Sequence, residues 1–235
     1  MGQRSKKMLL LLLLTSFCLN CNGTYDSTIG LVAYYPFNGN ANDESGNENH
    51  GSVFGATLTS DRFGNPNSAY DFDGVSAYIT TPLDINVSTI PELTMSAWVY
   101  PRRTGPEDEG VVSHGRRQIL SCDDGDFDRS LMVRYGYWEI FMGGDNWKLT
   151  ELPVDIKAWQ HVAVVFGNYD VKFYKNGKEY SFGVFSGTGS TGYPLTIGDN
   201  PDFPIQFFDG IIDDVRIYNR TLSIWEVRNL YYESY

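Results

Sequence analysis

Cysteine is almost absent. Of three in 235 residues, Cys18 and Cys21 sit at the N-terminus and only Cys122 lies in the body of the chain, so no disulfide framework holds the fold. With no histidine or basic group placed to activate it, Cys122 reads as a buried or idle thiol rather than a nucleophile. Histidine is equally scarce: His50, His114 and His161 give no pair at zinc-ligand spacing and no Ser/His/Asp set. Cations are outnumbered, 18 Lys and Arg against 29 Asp and Glu, for a net charge of −11 and a pI near 4.6. That balance disfavours nucleic acid as a partner, because phosphates are repelled. It is compatible with calcium, neutral glycans or simple solubility.

Long apolar runs are missing too, apart from Met8–Leu14, which continues through Thr15 and Ser16 to Phe17. The run is shorter than the roughly 20 residues of a spanning helix. Preceded by Arg4, Lys6 and Lys7, it has the form of a secretory signal, so residues 1–21 are expected to be a signal peptide and 22–235 one domain. Export follows as an expectation, to the periplasm, the outer cell surface or the medium. Cys21 is a candidate lipid acceptor and the only expected membrane attachment. Ordinary cleavage nearby is the alternative, because Phe17 and Asn20 depart from the usual pattern before an acylated cysteine.

What is abundant points to an all-β chain. From Gly30 onward, short segments of alternating apolarity are separated by Gly, Asn, Asp and Pro clusters. Strands are predicted at 31–37, 69–72, 77–80, 93–100, 118–121, 131–135, 138–142, 159–166, 171–175, 178–182, 194–197 and 210–218. Asn176-Gly177 between two of these favours a two-residue type I′ hairpin, since both positions need positive φ. One helix is predicted, at the C-terminal end. Ser223-Ile-Trp-Glu226 is a capping box, and Leu222 with Val227 forms a candidate hydrophobic staple.

The segments Leu31-Val-Ala-Tyr-Tyr-Pro-Phe-Asn-Gly39, Asp43-Glu-Ser-Gly46, Asn49-His-Gly51 and Ala69-Tyr-Asp-Phe-Asp-Gly74 resemble the opening of laminin G-like jelly-roll domains. Leu93–Val99 and Trp159–Val165 resemble that family's central strands, and Phe208–Ser223 its closing strand and helix start. The resemblance spans roughly residues 30–232. It implies a two-sheet antiparallel β-sandwich of the concanavalin A-like type with one short C-terminal helix. That fold hosts lectins, hydrolases and adhesion modules alike, so it does not choose a function.

Catalysis finds little support in the residues. Retaining glycosidases need two carboxylates about 5–5.5 Å apart, which a strand supplies at alternate positions. The nearest candidates, Glu107/Glu109, Asp124/Asp126/Asp128 and Asp71/Asp73, fall in or beside turns. Calcium suits the acids better, because it takes six to eight oxygen ligands from flexible loops. Cys122–Arg129 and Asp199–Gln206 are two such loops. They also resemble the calcium loops of pentraxins, which implies Asp128, Asn200, Asp202 and Gln206 as ligands. Arg129 and Asn200 depart from the pentraxin pattern, which has Asn and Glu there. Asp43, in the loop 38–50, is a second candidate calcium ligand.

Sugar binding draws on aromatic faces. Trp138 and Trp147, with Tyr137, are the candidate contacts, because Gly136 and Gly143-Gly144 suggest turns that expose them. Trp98 and Trp159 read as core. The expected function is a noncatalytic, extracellular or cell-surface binding module for glycan or a surface protein. A glycoside hydrolase of the same fold and a purely structural or adhesion protein are the alternatives.

Overall fold

The computed structural model describes residues 26–104, 115–122, 129–143, 147–182, 193–200 and 205–233. The predicted signal at 1–21, Glu107/Glu109, Asp124/Asp126/Asp128 and Asp202 lie outside the described residues.

The chain folds as the predicted sandwich. Its strands, in chain order, are β1 (Leu31–Tyr35), β2 (Ser52–Phe54), β3 (Thr57–Thr59), β4 (Ala69–Asp73), β5 (Tyr78–Thr80), β6 (Leu93–Pro101), β7 (Arg116–Ser121) and β8 (Ser130–Arg134). They continue with β9 (Tyr137–Phe141), β10 (Trp147–Pro153), β11 (Gln160–Phe166), β12 (Val171–Lys175), β13 (Lys178–Phe182), β14 (Thr196–Ile197) and β15 (Asp209–Tyr218), and the helix α1 (Ile224–Tyr232) closes the chain. Eight strands form one antiparallel sheet, ordered β13-β12-β11-β6-β15-β4-β3 with β1 also paired to β15; seven form the other, β10-β9-β8-β7-β14-β5-β2. The eight-stranded sheet is called the first sheet below.

Alternation along the strands places the core. In β6, Leu93, Met95, Ala97 and Val99 turn inward, with Val162, Val164 and Phe166 of β11 and Ile212, Val215 and Ile217 of β15 beside them. The second sheet answers with Leu120, Leu131, Val133, Trp138 and Ile140. Burial of such side chains contributes about 1.5–3 kcal/mol each. The opposite face of the first sheet carries Ser96, Trp98, His161, Asp213 and Arg216, and it is not left open. Leu222, Val227 and Leu230 seat α1 on Ala163, Val165, Tyr174 and Tyr218 of this face.

Local signals are obeyed where they are complete. Asn176 and Gly177 adopt φ of 50° and 72°, as a type I′ turn requires. The Ser223 side chain accepts from the Glu226 amide and the Glu226 carboxylate accepts from the Ser223 amide, so the capping box forms. β2, β3 and β10 were not predicted. The first two are three-residue edge strands with little burial, and too short to display a period.

Candidate functional site

The outer face of the first sheet gathers a charged cluster beside an aromatic bay, and an irregularity in β15 creates the cluster. Asp213 pairs with Trp98 across β6, and Arg216 pairs with Ser96. Three steps on β15 therefore match two on β6, so one extra residue is inserted as a β-bulge. Asp214 takes the positive φ of 49° at this point. In a regular strand consecutive side chains point to opposite faces. Here the bulge reverses the alternation, so Val215 enters the core while Asp213 and Asp214 both remain on the outer face. β15 also changes partner here: residues 209–212 pair with β4, and Val215, Arg216, Ile217 and Tyr218 with β1.

Arg62 reaches this place from the turn after β3. Asp61 holds that turn by accepting from the amides of Phe63 and Asn65, each at 2.8 Å. Arg62 Nη1 donates to Asp213 Oδ2 at 2.9 Å and Asp214 Oδ2 at 2.7 Å, and all three side chains are buried. Its guanidinium lies 4.5 Å from the ring centroids of both Phe63 and Trp98. The Tyr34 hydroxyl donates to Asp214 Oδ1, and Arg216 donates to Glu233 at 2.7 Å while lying over the Tyr34 ring. Burial, and next the charge of Asp214, push the Asp213 carboxyl well above the usual carboxylate range, although Arg62 opposes the shift. His161, under Trp98 at 5.5 Å, is driven down to about 3 by burial and by the charges of Arg216 and Arg62, so it stays neutral.

Two cavities share Arg62 as a wall. One, of about 400 Å³, is the aromatic bay of Phe63, Trp98, Trp159, Tyr231 and Tyr232, with Glu233 at its edge. Tyr231 stacks on Trp98 at 5.7 Å and 24°, so the end of α1 forms one side of the bay. The other, of about 150 Å³, is lined by Glu44, Asp61, Asp213 and Asp214 together with polar Tyr34, Asn38, Asn65 and Ser68.

The residues singled out from sequence fare differently. Trp138 was expected at the surface, but it is fully buried beside Phe173. The reason is alternation: Tyr137, 39% exposed, takes the outward position of β9, which leaves the next residue to the core. Trp147 opens β10 opposite Phe141; its side chain is outside the described residues. Asp43 is buried, and its carboxylate accepts from the amides of Tyr34, Ser45 and Asn49 and from the Ser45 hydroxyl. Four donors fill the roughly four acceptor positions of a carboxylate, so Asp43 organises its loop instead of presenting oxygens to calcium. Of the pentraxin-like set, Asn200 and Gln206 are brought together, with the Asn200 amide donating to Gln206 Oε1 at 3.4 Å. Gln118 donates to the same oxygen at 2.8 Å. Arg129 donates to the carbonyls of Ile90 and Pro91 at 2.6 and 2.7 Å.

Beside them lies Asp199, which sequence reasoning passed over. It is buried, with Oδ1 lacking any hydrogen-bond partner, and burial raises its carboxyl to about 7. Gln118 Oε1 is a second buried oxygen without a donor. Among the described residues no three His, Cys, Asp or Glu side chains converge as a metal site. Asp71 and Asp73 are committed elsewhere: Asp71 receives Arg102 through two nitrogens, at 2.5 and 2.7 Å, and Asp73 accepts from the amides of Val75, Ser76 and Ala77.

Known proteins of this shape agree with the architecture. Domain 4 of AbnA, a GH43 extracellular arabinanase from Geobacillus stearothermophilus solved with arabinotriose, superposes with a TM-score of 0.66 at 23% identity, covering 85% of this chain and 97% of that domain. The binding domain of Paraclostridial Mosquitocidal Protein 1 gives 0.70 at 18% identity over 88% of this chain and 52% of its own. The botulinum neurotoxin serotype D binding domain gives 0.64 at 16% identity, with 87% and 52% covered. In sequence, 155 residues are 25% identical to the zebrafish (Danio rerio) adhesion G-protein coupled receptor V1; they make up 60% of this chain and span only 2% of the receptor. A family model described as the concanavalin A-like lectin/glucanases superfamily, Laminin_G_3, matches residues 73–228. With that match covering most of the chain and the jelly-roll sandwich formed as the motifs require, this protein belongs to the laminin G-like family of the concanavalin A-like lectin/glucanases superfamily.

Proposed function

We propose that this chain is a noncatalytic binding module that takes up glycan on the outer face of the first sheet. The observation that carries the reading is the bay of Phe63, Trp98, Trp159, Tyr231 and Tyr232 set beside the Arg62–Asp213–Asp214 cluster. Sugar rings stack their C–H faces on aromatic side chains and are oriented by a few polar groups, and the bay's size is that of a ligand site. The complex of the arabinanase domain with arabinotriose supports the same reading. Cleavage is disfavoured because both buried carboxylates rest on one guanidinium nitrogen, whereas a glycosidase needs one acid to deliver a proton and another to attack or to activate water. The test is a glycan array with wild type and Trp159→Ala. The variant is expected to lose roughly tenfold in affinity, equivalent to about 1.4 kcal/mol. Identical profiles, or release of reducing sugar by the wild type, overturn it.

Calcium belongs to the same proposal at one place, the group Asp199, Asn200 and Gln206. Support comes from the buried Asp199 and Gln118 oxygens that lack donors, since a hard cation with oxygen ligands would satisfy them. Melting temperature should rise with calcium and fall with chelator in the wild type and not in Asp199→Asn; an unchanged melt in the wild type overturns it. Export with a lipid anchor at Cys21 is the proposed placement, tested by fractionating cells that carry Cys21→Ala, and an unaltered membrane fraction counts against the anchor.

A further inference from the structure

The strand edges of this molecule are protected in different ways, and one of them is bare. β13 closes the first sheet with Lys178 and Glu179, and β10 closes the second with Lys148, Glu151 and Pro153. β1 pairs only with β15, and the loop after it covers its other side. The Tyr34 amide donates to Asp43 at 2.9 Å, the Glu44 amide to the Tyr34 carbonyl at 2.8 Å, and Asn49 Nδ2 to the Val32 carbonyl at 2.8 Å. Charge, proline and covering loops are the usual protections of an edge. Among the described residues, β2 at the remaining end of the second sheet has none of them. Residues 51–60 contain no charge and no proline, all of β2 is exposed, and Val53 and Phe54 are 38% and 46% exposed. β3 ends the first sheet within the same stretch, but Leu58 and Thr59 are half-buried there, which leaves β2 as the open edge. We propose that β2 is a homodimerisation edge, pairing antiparallel with β2 of a second copy about a two-fold axis at Val53. Glycan binding is not required for this pairing.

The side chains of this edge are self-complementary. Phe54 stands opposite Tyr78 of β5 and stacks on it, with ring centroids 4.8 Å apart at 13°, and Tyr78 leans toward Phe207 at 6.5 Å. The row lies on the outer face of the second sheet, because Ile79, next to Tyr78, enters the core. It stops at Phe54, where the sheet stops. Two-fold pairing at Val53 sets Phe54 opposite Ser52 of the partner subunit. Phe54 of the partner subunit then lies on the diagonal at about 7–8 Å, within reach of an aromatic side chain. The row of rings continues into the partner's row, and the second sheet runs unbroken through both copies.

Charge selects the occupant. The chain carries −11, so two copies repel each other over most of their surface, and they meet at least cost where charge is missing. The stretch 51–60 is such a place. A basic partner is drawn to the acids and gains nothing from an uncharged edge, whereas a two-fold contact needs only one patch that matches itself. A foreign strand could also satisfy the backbone of β2, but it must bring its own ring to extend the Phe54 row. A second copy brings that ring by symmetry.

The experiment is sedimentation equilibrium of the full chain from micromolar to millimolar concentration at physiological salt, where a monomer–dimer equilibrium is expected. Ser52→Glu places a carboxylate on each side of the axis from an exposed position and should weaken the dimer at least tenfold, with the melting temperature of the dilute protein unchanged. Lys178→Ser, on the edge strand of the other sheet, makes the chain more negative by the same single charge and should leave the dimer as it is. Raising the wild-type concentration should slow amide exchange in residues 52–54 and not in β13. A wild type that stays monomeric throughout overturns the proposal and leaves the edge to a foreign strand. A dimer equally tight in Ser52→Glu, equal losses in both variants, or protection that falls on β13 instead of β2 overturns it as well.

Discussion

Asp213 and Asp214, consecutive in the chain, turn their carboxylates to the same side of the first sheet, and the amide of Asp214 donates to the carboxylate of Asp213 at 2.7 Å. Only an inserted residue permits this, and Arg62 is the charge that makes it tolerable. Two buried acids at this spacing repel each other, and removing their shared partner leaves the pair with only the more distant Arg216, 3.9 Å from Asp214, in a poorly hydrated place. Arg62→Met is expected to cost about 3–5 kcal/mol in urea unfolding. The triple variant with Asp213→Asn and Asp214→Asn should recover a large part of that loss. Additive losses across the three substitutions contradict the coupling.

The same cluster gives stability a pH dependence. Burial, and next the charge of Asp214, make Asp213 hold its proton to higher pH in the folded chain than in the unfolded one. The folded state therefore binds more protons in the window between the two, and stability falls as pH rises through it. His161 acts in the opposite sense. It refuses a proton down to about 3, whereas the unfolded imidazole accepts one below about 6.5, so stability falls as pH drops through that range. Asp213→Asn should flatten the alkaline limb and His161→Gln the acid limb of stability against pH, each by an amount of order 1 kcal/mol or more. Denaturant midpoints measured from pH 4 to 9 check both; parallel profiles for wild type and variants refute the assignment.

Tyr137 and Trp138 separate stability from recognition. Trp138→Ala empties a fully buried site beside Phe173 and should cost about 3–5 kcal/mol. Tyr137→Ala, on the outward position, should stay within about 0.5 kcal/mol. Neither residue lines the aromatic bay, so glycan affinity should be unchanged in any Tyr137→Ala protein that is folded. A large loss of affinity there would move the site to the other sheet.

Those outcomes trace what sequence can and cannot display. The Asn176-Gly177 hairpin and the Ser223/Glu226 box were legible because each is complete within a few residues, and the long strands because their alternation is sustained. Trp138 was misplaced because Gly136 signals a turn without saying which of the two following aromatics faces out; parity settles that, and parity depends on register. The Asp213–Asp214 pair was invisible because adjacent residues in a strand are assumed to face apart, and no local signal announces a bulge there. The bay had no motif at all: residues 62–63, 98, 159 and 231–233 come from four separate segments, and Trp98 and Trp159 were read as core. Asp43 showed the right residue for calcium, yet its loop supplies four donors that a sequence cannot count.

The helix offers a prediction that links folding to the site. α1 is nine residues long, and isolated helices of that length are marginal in water, so its order depends on the cap and on burial of Val227 and Leu230. Ser223→Ala removes the side-chain acceptor for the Glu226 amide and should cost about 1 kcal/mol. Leu230→Ala should cost about 2–5 kcal/mol. Neither side chain touches the bay, but the helix carries Tyr231 and Tyr232 into it, and the Arg216–Glu233 ion pair fixes its end. Loosening the helix should therefore weaken glycan binding several-fold at temperatures where the sandwich is still folded, with amide exchange in α1 accelerated while β6 and β11 stay protected. Unchanged affinity alongside accelerated exchange would show that the tyrosines are bystanders, and would leave Trp98, Trp159 and Phe63 to carry recognition alone.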